Sequence, residues 1–202
     1  MIRRFLVVLS ILAIFGSAAP AWANGAGDVK SGIGARADDR LDDAIKFFSR
    51  AIGSGELKNG DLAFAYDMRG NVYDDKGDFV NAIADFDRAI RAKPDFAQAY
   101  NDRGIARNDQ GEYDRAILDY NRAIQLKPDF AQAYNNRGIA YHRKANEPQA
   151  IADYTKAIRL NPKYAHAYYN RAIALHLHGD ETLAQKDFYE AIRLDPKLEK
   201  PH

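Results

Sequence analysis

A 34-residue period governs most of this chain. Lys93 to Ala106 reads KPDFAQAYNDRGIA and Lys127 to Ala140 reads KPDFAQAYNNRGIA, with one difference, Asp102 against Asn136. Extended both ways, the period gives blocks 61–94, 95–128, 129–162 and 163–196, each closed by a proline: Pro94, Pro128, Pro162 and Pro196. A unit of this length cannot bury its apolar face alone, so it must stack on copies of itself.

Inside a block the apolar residues recur at three and four. Phe96, Ala99 and Tyr100 form one stripe; Tyr113, Ala116, Ile117, Tyr120, Ala123 and Ile124 form another. That spacing predicts two amphipathic helices. Gly77, Gly111 and Gly179 fall between the stripes, where a turn is needed; Ala145 takes that place in the third block, with Pro148 in the first turn of the helix that follows. The closing prolines cannot continue a helix. Each block therefore reads as helix, turn, helix, and the chain as all-α, with no strand alternation.

Four in-phase copies resemble the tetratricopeptide repeat. The third block supplies Tyr134, Gly138, Tyr141, Ala150, Tyr154, Ala157 and Pro162; the first supplies Tyr66, Gly70, Tyr73, Ala82, Phe86, Ala89 and Pro94. The second departs at Arg107, the fourth at Ala172 and Leu175. The resemblance implies a right-handed solenoid whose first helices line a concave groove that binds a peptide or partner protein. Residues 24–60, with Gly32, Ala44, Phe48 and Ala51 in place but no closing proline, read as a degenerate N-terminal repeat followed by the loop GSGELKNG. Residues 197–202 form a tail. Gln185 and Lys186, polar on the last outer face, suit a self-capping end.

Residues 1–23 differ from the rest. Arg3 and Arg4 precede FLVVLSILAIFG, and Ala21-Trp22-Ala23 offers a small-x-small site. This pattern predicts a secretory signal peptide cleaved after Ala23, and hence a periplasmic or secreted protein of bacterial exported type. The apolar run is shorter than the ~20 residues of a span, so stable membrane insertion after cleavage is not expected; retention as an anchor is the other reading. With 29 basic and 28 acidic residues, no excess of charge points to nucleic acid. The absence of cysteine excludes disulfides and thiolate chemistry. Neither an HExxH zinc spacing, a phosphate-binding loop nor a G-x-S-x-G nucleophile is present, so no metal, no cofactor and no enzymatic activity are expected.

Where the family signature has leucine before glycine, this chain has Arg69, Arg103, Arg137 and Arg171. Each second helix carries an aspartate: Asp85, Asp119, Asp153 and Asp187. Arg69 precedes Gly77 by eight residues and Asp85 follows it by eight, and the same holds in every block. Equal distances from an antiparallel turn give equal heights, which predicts four structural ion pairs. The N-terminal unit lacks both members, having Ser31 and Phe47, which favours pairing within a repeat.

Carrying over the family's groove offsets gives Asp67, Asn71, Asp74, Gln98, Asn101, Asn108, Gln132, Asn135, His142, His166, Tyr169 and His176 as lining residues. The amides can bond a peptide backbone, and the acidic N-terminal end favours basic residues in the ligand. Asp67 stands where some family members hold a lysine for a terminal carboxylate, which argues against acidic-tail ligands. A small-molecule or catalytic use of the groove, or a spacer without ligand, are the alternatives. Asp102 against Asn136 reads as tuning of a partly exposed edge, and the oligomeric state is not specified.

Overall fold

The computed structural model describes residues 24–198; the expected signal segment 1–23 and the last four residues of the tail lie outside them. The described chain forms ten helices: α1 (Gly25–Ala37), α2 (Leu41–Gly53), α3 (Asn59–Asp75), α4 (Phe79–Ala92), α5 (Ala97–Asp109), α6 (Tyr113–Leu126), α7 (Ala131–Arg143), α8 (Glu147–Leu160), α9 (Ala165–His178) and α10 (Glu181–Leu194). No strand occurs among the described residues. Helix α3 begins at Asn59, ahead of the expected block start, so the GSGELKNG loop is shorter than its composition suggests.

The five hairpins share one turn. A backbone bond joins the residue after the turn to the carbonyl five earlier: Arg40 to Ala35, Asp78 to Tyr73, Glu112 to Arg107, Asn146 to Tyr141 and Asp180 to Leu175, at 2.8–2.9 Å. This closure requires a left-handed residue just past the helix end. Gly77, Gly111 and Gly179 supply it, and Asp39 and Ala145 adopt it with a side chain, at φ 59° and 54°.

Small residues set the helix spacing within a hairpin. A Cβ added at Gly138 would lie 2.6 Å from the ring of Tyr154, and one at Gly104 2.6 Å from Tyr120. The core follows as a chain of local clusters, for example Ala116, Ile117, Tyr120 and Ala140 between the second and third full repeats. First helices of successive units touch one another (α1 with α3, α3 with α5, α5 with α7, α7 with α9), whereas successive second helices do not. The line of first helices is therefore the tight, inner side of the array.

Among the described residues the C-terminal face of α10 is uncovered. Gln185 and Lys186 are exposed as a cap requires, but Leu183 and Tyr189 share that end at 53% and 77% exposure. With Ile151, Leu175 and Arg171 they border a cavity of about 860 Å³ where a further repeat would stack. The polar residues are too few to close this end.

Candidate functional site

The arginines and aspartates meet at equal height. Arg69 donates from Nε and Nη2 to Asp85 at 2.6 and 2.9 Å, Arg137 to Asp153 at 2.7 and 2.6 Å, and Arg171 to Asp187 at 2.6 and 2.8 Å. Arg103 does the same to Asp119 at 3.0 and 2.5 Å. The four aspartates are buried. Each arginine also reaches back with Nη1 to the preceding unit: Ser49 at 2.8 Å, Asp87 at 2.5 Å, Asn121 at 2.5 Å and Thr155 at 3.0 Å. Pairing is thus not confined to one repeat; a guanidinium has five N–H groups, and a bidentate carboxylate uses only two.

The N-terminal unit carries a pair that the sequence reading missed. Arg50 on α2 binds Asp28 on α1 through Nε at 2.6 Å and through Nη2. Asp28 lies eleven residues before Asp39 and Arg50 eleven after, so the equal-height rule, applied at a second distance from the turn, would have found it.

The expected groove residues divide by depth. Gln132, His166 and His176 are exposed; Asn71, Asp74, Gln98, Asn108, His142 and Tyr169 are half-buried. Asp67, Asn101 and Asn135 were expected at the groove surface, but they lie beneath it at 0%, 2% and 3% exposure. The next first helix packs over them. Across the joint between α7 and α9, Asn170 Nδ2 donates to Asn135 Oδ1 at 3.0 Å; across that between α5 and α7, Asn136 Nδ2 donates to Asn101 Oδ1 at 3.0 Å. The same offset across the joint between α3 and α5 pairs Asp102 with Asp67.

Asp102 is therefore not at a partly exposed edge: it is buried at 6% exposure. Its Oδ1 accepts from Gln98 at 2.8 Å and Asn101 at 2.9 Å. One amide nitrogen, Asn71 Nδ2, sits 3.4 Å from Asp67 Oδ2 and 3.3 Å from Asp102 Oδ2, which sets the two carboxyls side by side. Burial and the charge of Asp102 push the Asp67 carboxyl up to about 8, so it keeps its proton at neutral pH. Burial raises Asp102 as well.

One turn pair further along, the same joint repeats the pattern. Across the preceding joint Arg36 on α1 binds Asp75 on α3, Nε to Oδ2 at 2.7 Å and Nη2 to Oδ1 at 3.2 Å. The equivalent positions across the α3–α5 joint are Asp74 and Asp109, both acidic. Burial, then Asp109, Asp75 and Asp102, push Asp74 up to about 6. Three solvent-shielded oxygens on α3 and α5, Asp67 Oδ1, Asp74 Oδ1 and Asn108 Oδ1, accept no hydrogen bond from any described residue.

The other half of the inner face satisfies itself. His142 Nδ1 lies 3.0 Å from Glu147, and His176 Nδ1 lies 2.6 Å from Glu181, five residues along in each case. Tyr169 meets Phe188 edge-on at 5.6 Å. The two histidines, equivalent in adjacent units, are thus engaged separately within their own repeats.

Residues 70–111 and 104–144 match the TPR repeat family, and residues 131–164 and 153–186 match two families described as tetratricopeptide repeat. The chain belongs to the tetratricopeptide-repeat family. No curated protein matches it. Among solved structures it resembles MamA, at 26% identity and TM-score 0.69 over 82% of this chain and 95% of that one. It also resembles a MamA fragment, "41-end", from Desulfovibrio magneticus RS-1, at 16% identity and TM-score 0.72 over 87% and 97%. YrrB, described as a TPR protein with an unusual peptide-binding site, aligns at 20% identity and TM-score 0.63 over 86% and 88%. No described helix is long and apolar enough to cross a membrane.

Proposed function

We propose that this chain is an exported, non-catalytic scaffold that holds an extended segment of a partner protein along its inner face, in the cell envelope. The observation that carries this reading is the row of polar side chains on successive first helices, with Gln132 and His166 exposed and Asn71, Gln98 and Asn108 half-buried. Gln132 and His166 are exposed enough to meet the unpaired N–H and C=O groups of an extended ligand, while Asn71, Gln98 and Asn108 are held from behind by Asp67, Asp102 and Asp109. The family is one of interaction scaffolds, which agrees with that use, and the N-terminal leader pattern supports export.

The test has two arms. Cross-linking and capture by the exported chain from envelope extract should recover a partner that competes with its own peptide, and Gln98→Ala combined with Gln132→Ala should abolish the recovery. Recovery unchanged by the double variant overturns the groove reading. Mass spectrometry of the protein from fractionated cells should place its N-terminus at Asn24; a cytoplasmic chain beginning at Met1 overturns export.

A further inference from the structure

We propose that the α3–α5 joint is a proton-operated latch. While Asp67 and Asp102 share one proton the two first helices stay closed, and loss of that proton parts them, so that α1–α4 swing against the rest of the array. This goes beyond the groove reading and does not depend on it. The hydrogen bonds of the joint are one donor short. Asn71 is the amide between the two carboxyls. Its two N–H groups face three acceptors: the Asp67 carbonyl at 2.9 Å, Asp102 Oδ2 at 3.3 Å and Asp67 Oδ2 at 3.4 Å. Gln98 and Asn101 both serve Asp102 Oδ1, and Asp67 Oδ1 has no donor. Asp67 and Asp102 are buried, at 0% and 6% exposure. An acid O–H on one of them supplies the missing donor to the other.

Among the described residues no other first-helix joint has these means. The same two places hold Val29 and Met68 between α1 and α3, where both pack into one apolar cluster. Between the later first helices they hold Asn101 with Asn136 and Asn135 with Asn170, each pair bonded at 3.0 Å. Once the proton leaves the α3–α5 joint for bulk buffer, two carboxylates lie side by side out of water, which is costly. The charged groups acting on Asp67 are Asp102 from α5 and Arg36 from α1; among the described residues α2 and α4 add none. Arg36 is already held by Asp75. Asp102 also faces Asp74 from α3 and the Tyr120 hydroxyl from α6. Asp74 titrates at about 6 and burial keeps Tyr120 protonated, so neither changes charge while Asp67, at about 8, gives up its proton. Closure is therefore complete at low pH and is lost as pH rises through about 8. Admitting water between α3 and α5 relieves the repulsion. Helix α4 also packs on α5, and that contact serves as the pivot.

The test uses the full chain, which has no cysteine of its own, so that introduced cysteines carry spin labels at chosen places alone. Phe64, Gln132 and His166 are exposed at equivalent positions of α3, α7 and α9. Labels at Phe64→Cys and Gln132→Cys span the latch; labels at Gln132→Cys and His166→Cys span the α7–α9 joint. In pulsed dipolar spectroscopy from about pH 6 to about pH 9, the first distance should lengthen with a midpoint near 8, and the second should stay fixed. The Asp67 carboxyl should titrate at the same midpoint by NMR. Asp102→Asn should hold the first distance at its low-pH value throughout. Asp67→Asn should do the same, and it decides the matter should the other variant fold poorly. A first distance that ignores pH overturns the latch, as does a lengthening that survives both substitutions. Lengthening of both distances together marks general unfolding and overturns it too, and so does an Asp67 carboxyl that titrates in the ordinary carboxylate range.

Discussion

The α3–α5 and α5–α7 joints are drawn from nearly the same fourteen residues, yet one encloses two carboxyls and the other an amide bond. In the second, Asn136 donates to Asn101 and the arrangement is neutral at every pH. In the first, Asp102 cannot donate to Asp67 when both are ionised, and the joint holds a proton instead. The lesson is that fold and site follow different rules in a repeat. Stacking requires the small and apolar positions to recur; the inner polar positions can change one at a time without altering the stack.

The arginine bonds offer the largest break in that comparison. Arg137→Ala leaves buried Asp153 with no cation, and should cost about 3–5 kcal/mol. Arg103→Ala in the neighbouring repeat leaves Asp119 still bonded to Arg107 at 2.7 Å, so it should cost less, about 1–3 kcal/mol. Urea unfolding of the two variants side by side checks the order, and an unchanged midpoint for Arg137→Ala would sink the ladder as a stabilising element.

Asp102→Asn converts one joint into the other. The new amide can donate to Asp67, so stability at pH 7 should rise by about 1–3 kcal/mol. The pH dependence sharpens the point. Asp67 titrates near 8 when folded and near 3.8 as a reference group, so the folded state binds the extra proton between those values. Its contribution is present at low pH and is lost as pH rises through about 8. Melting temperatures from pH 5 to 9 should fall less steeply in Asp102→Asn than in the parent; parallel curves would rule out the shared proton.

A smaller effect serves as a control away from both joints. Ala145 holds φ 54° in the α7–α8 turn, a conformation that costs a side chain roughly 1–2 kcal/mol. Ala145→Gly should recover about 1 kcal/mol of that, with no change in pH dependence. A loss of stability on calorimetric melting would mean that the turn is not strained.

Much of the architecture was legible in the residues. The prolines and mid-block glycines punctuate the helices, and eight residues on either side of a turn were enough to match each arginine with its aspartate. The depth of the inner polar residues was not legible. Asp67, Asn101 and Asn135 point toward the groove from their own helix, but whether they reach water depends on how closely the next first helix packs. Asp102 misled for a related reason. Judged against Arg103 beside it, it has no role; its counterpart lies across the joint, 35 residues away in the Asn136–Asn101 pair. The period plus one is the signal that would have found it. The Asp28–Arg50 pair was missed because the terminal unit exchanges the polarity of its partners.

The contact of first helix with first helix, unmatched among second helices, has a mechanical meaning. When a coil of this kind flexes, spacing changes most at the rim that is not in contact and least along the line that is. The inner row is that neutral line. Side chains mounted on it would keep their pitch if the outer rim opened, like the marks of a ruler that does not stretch.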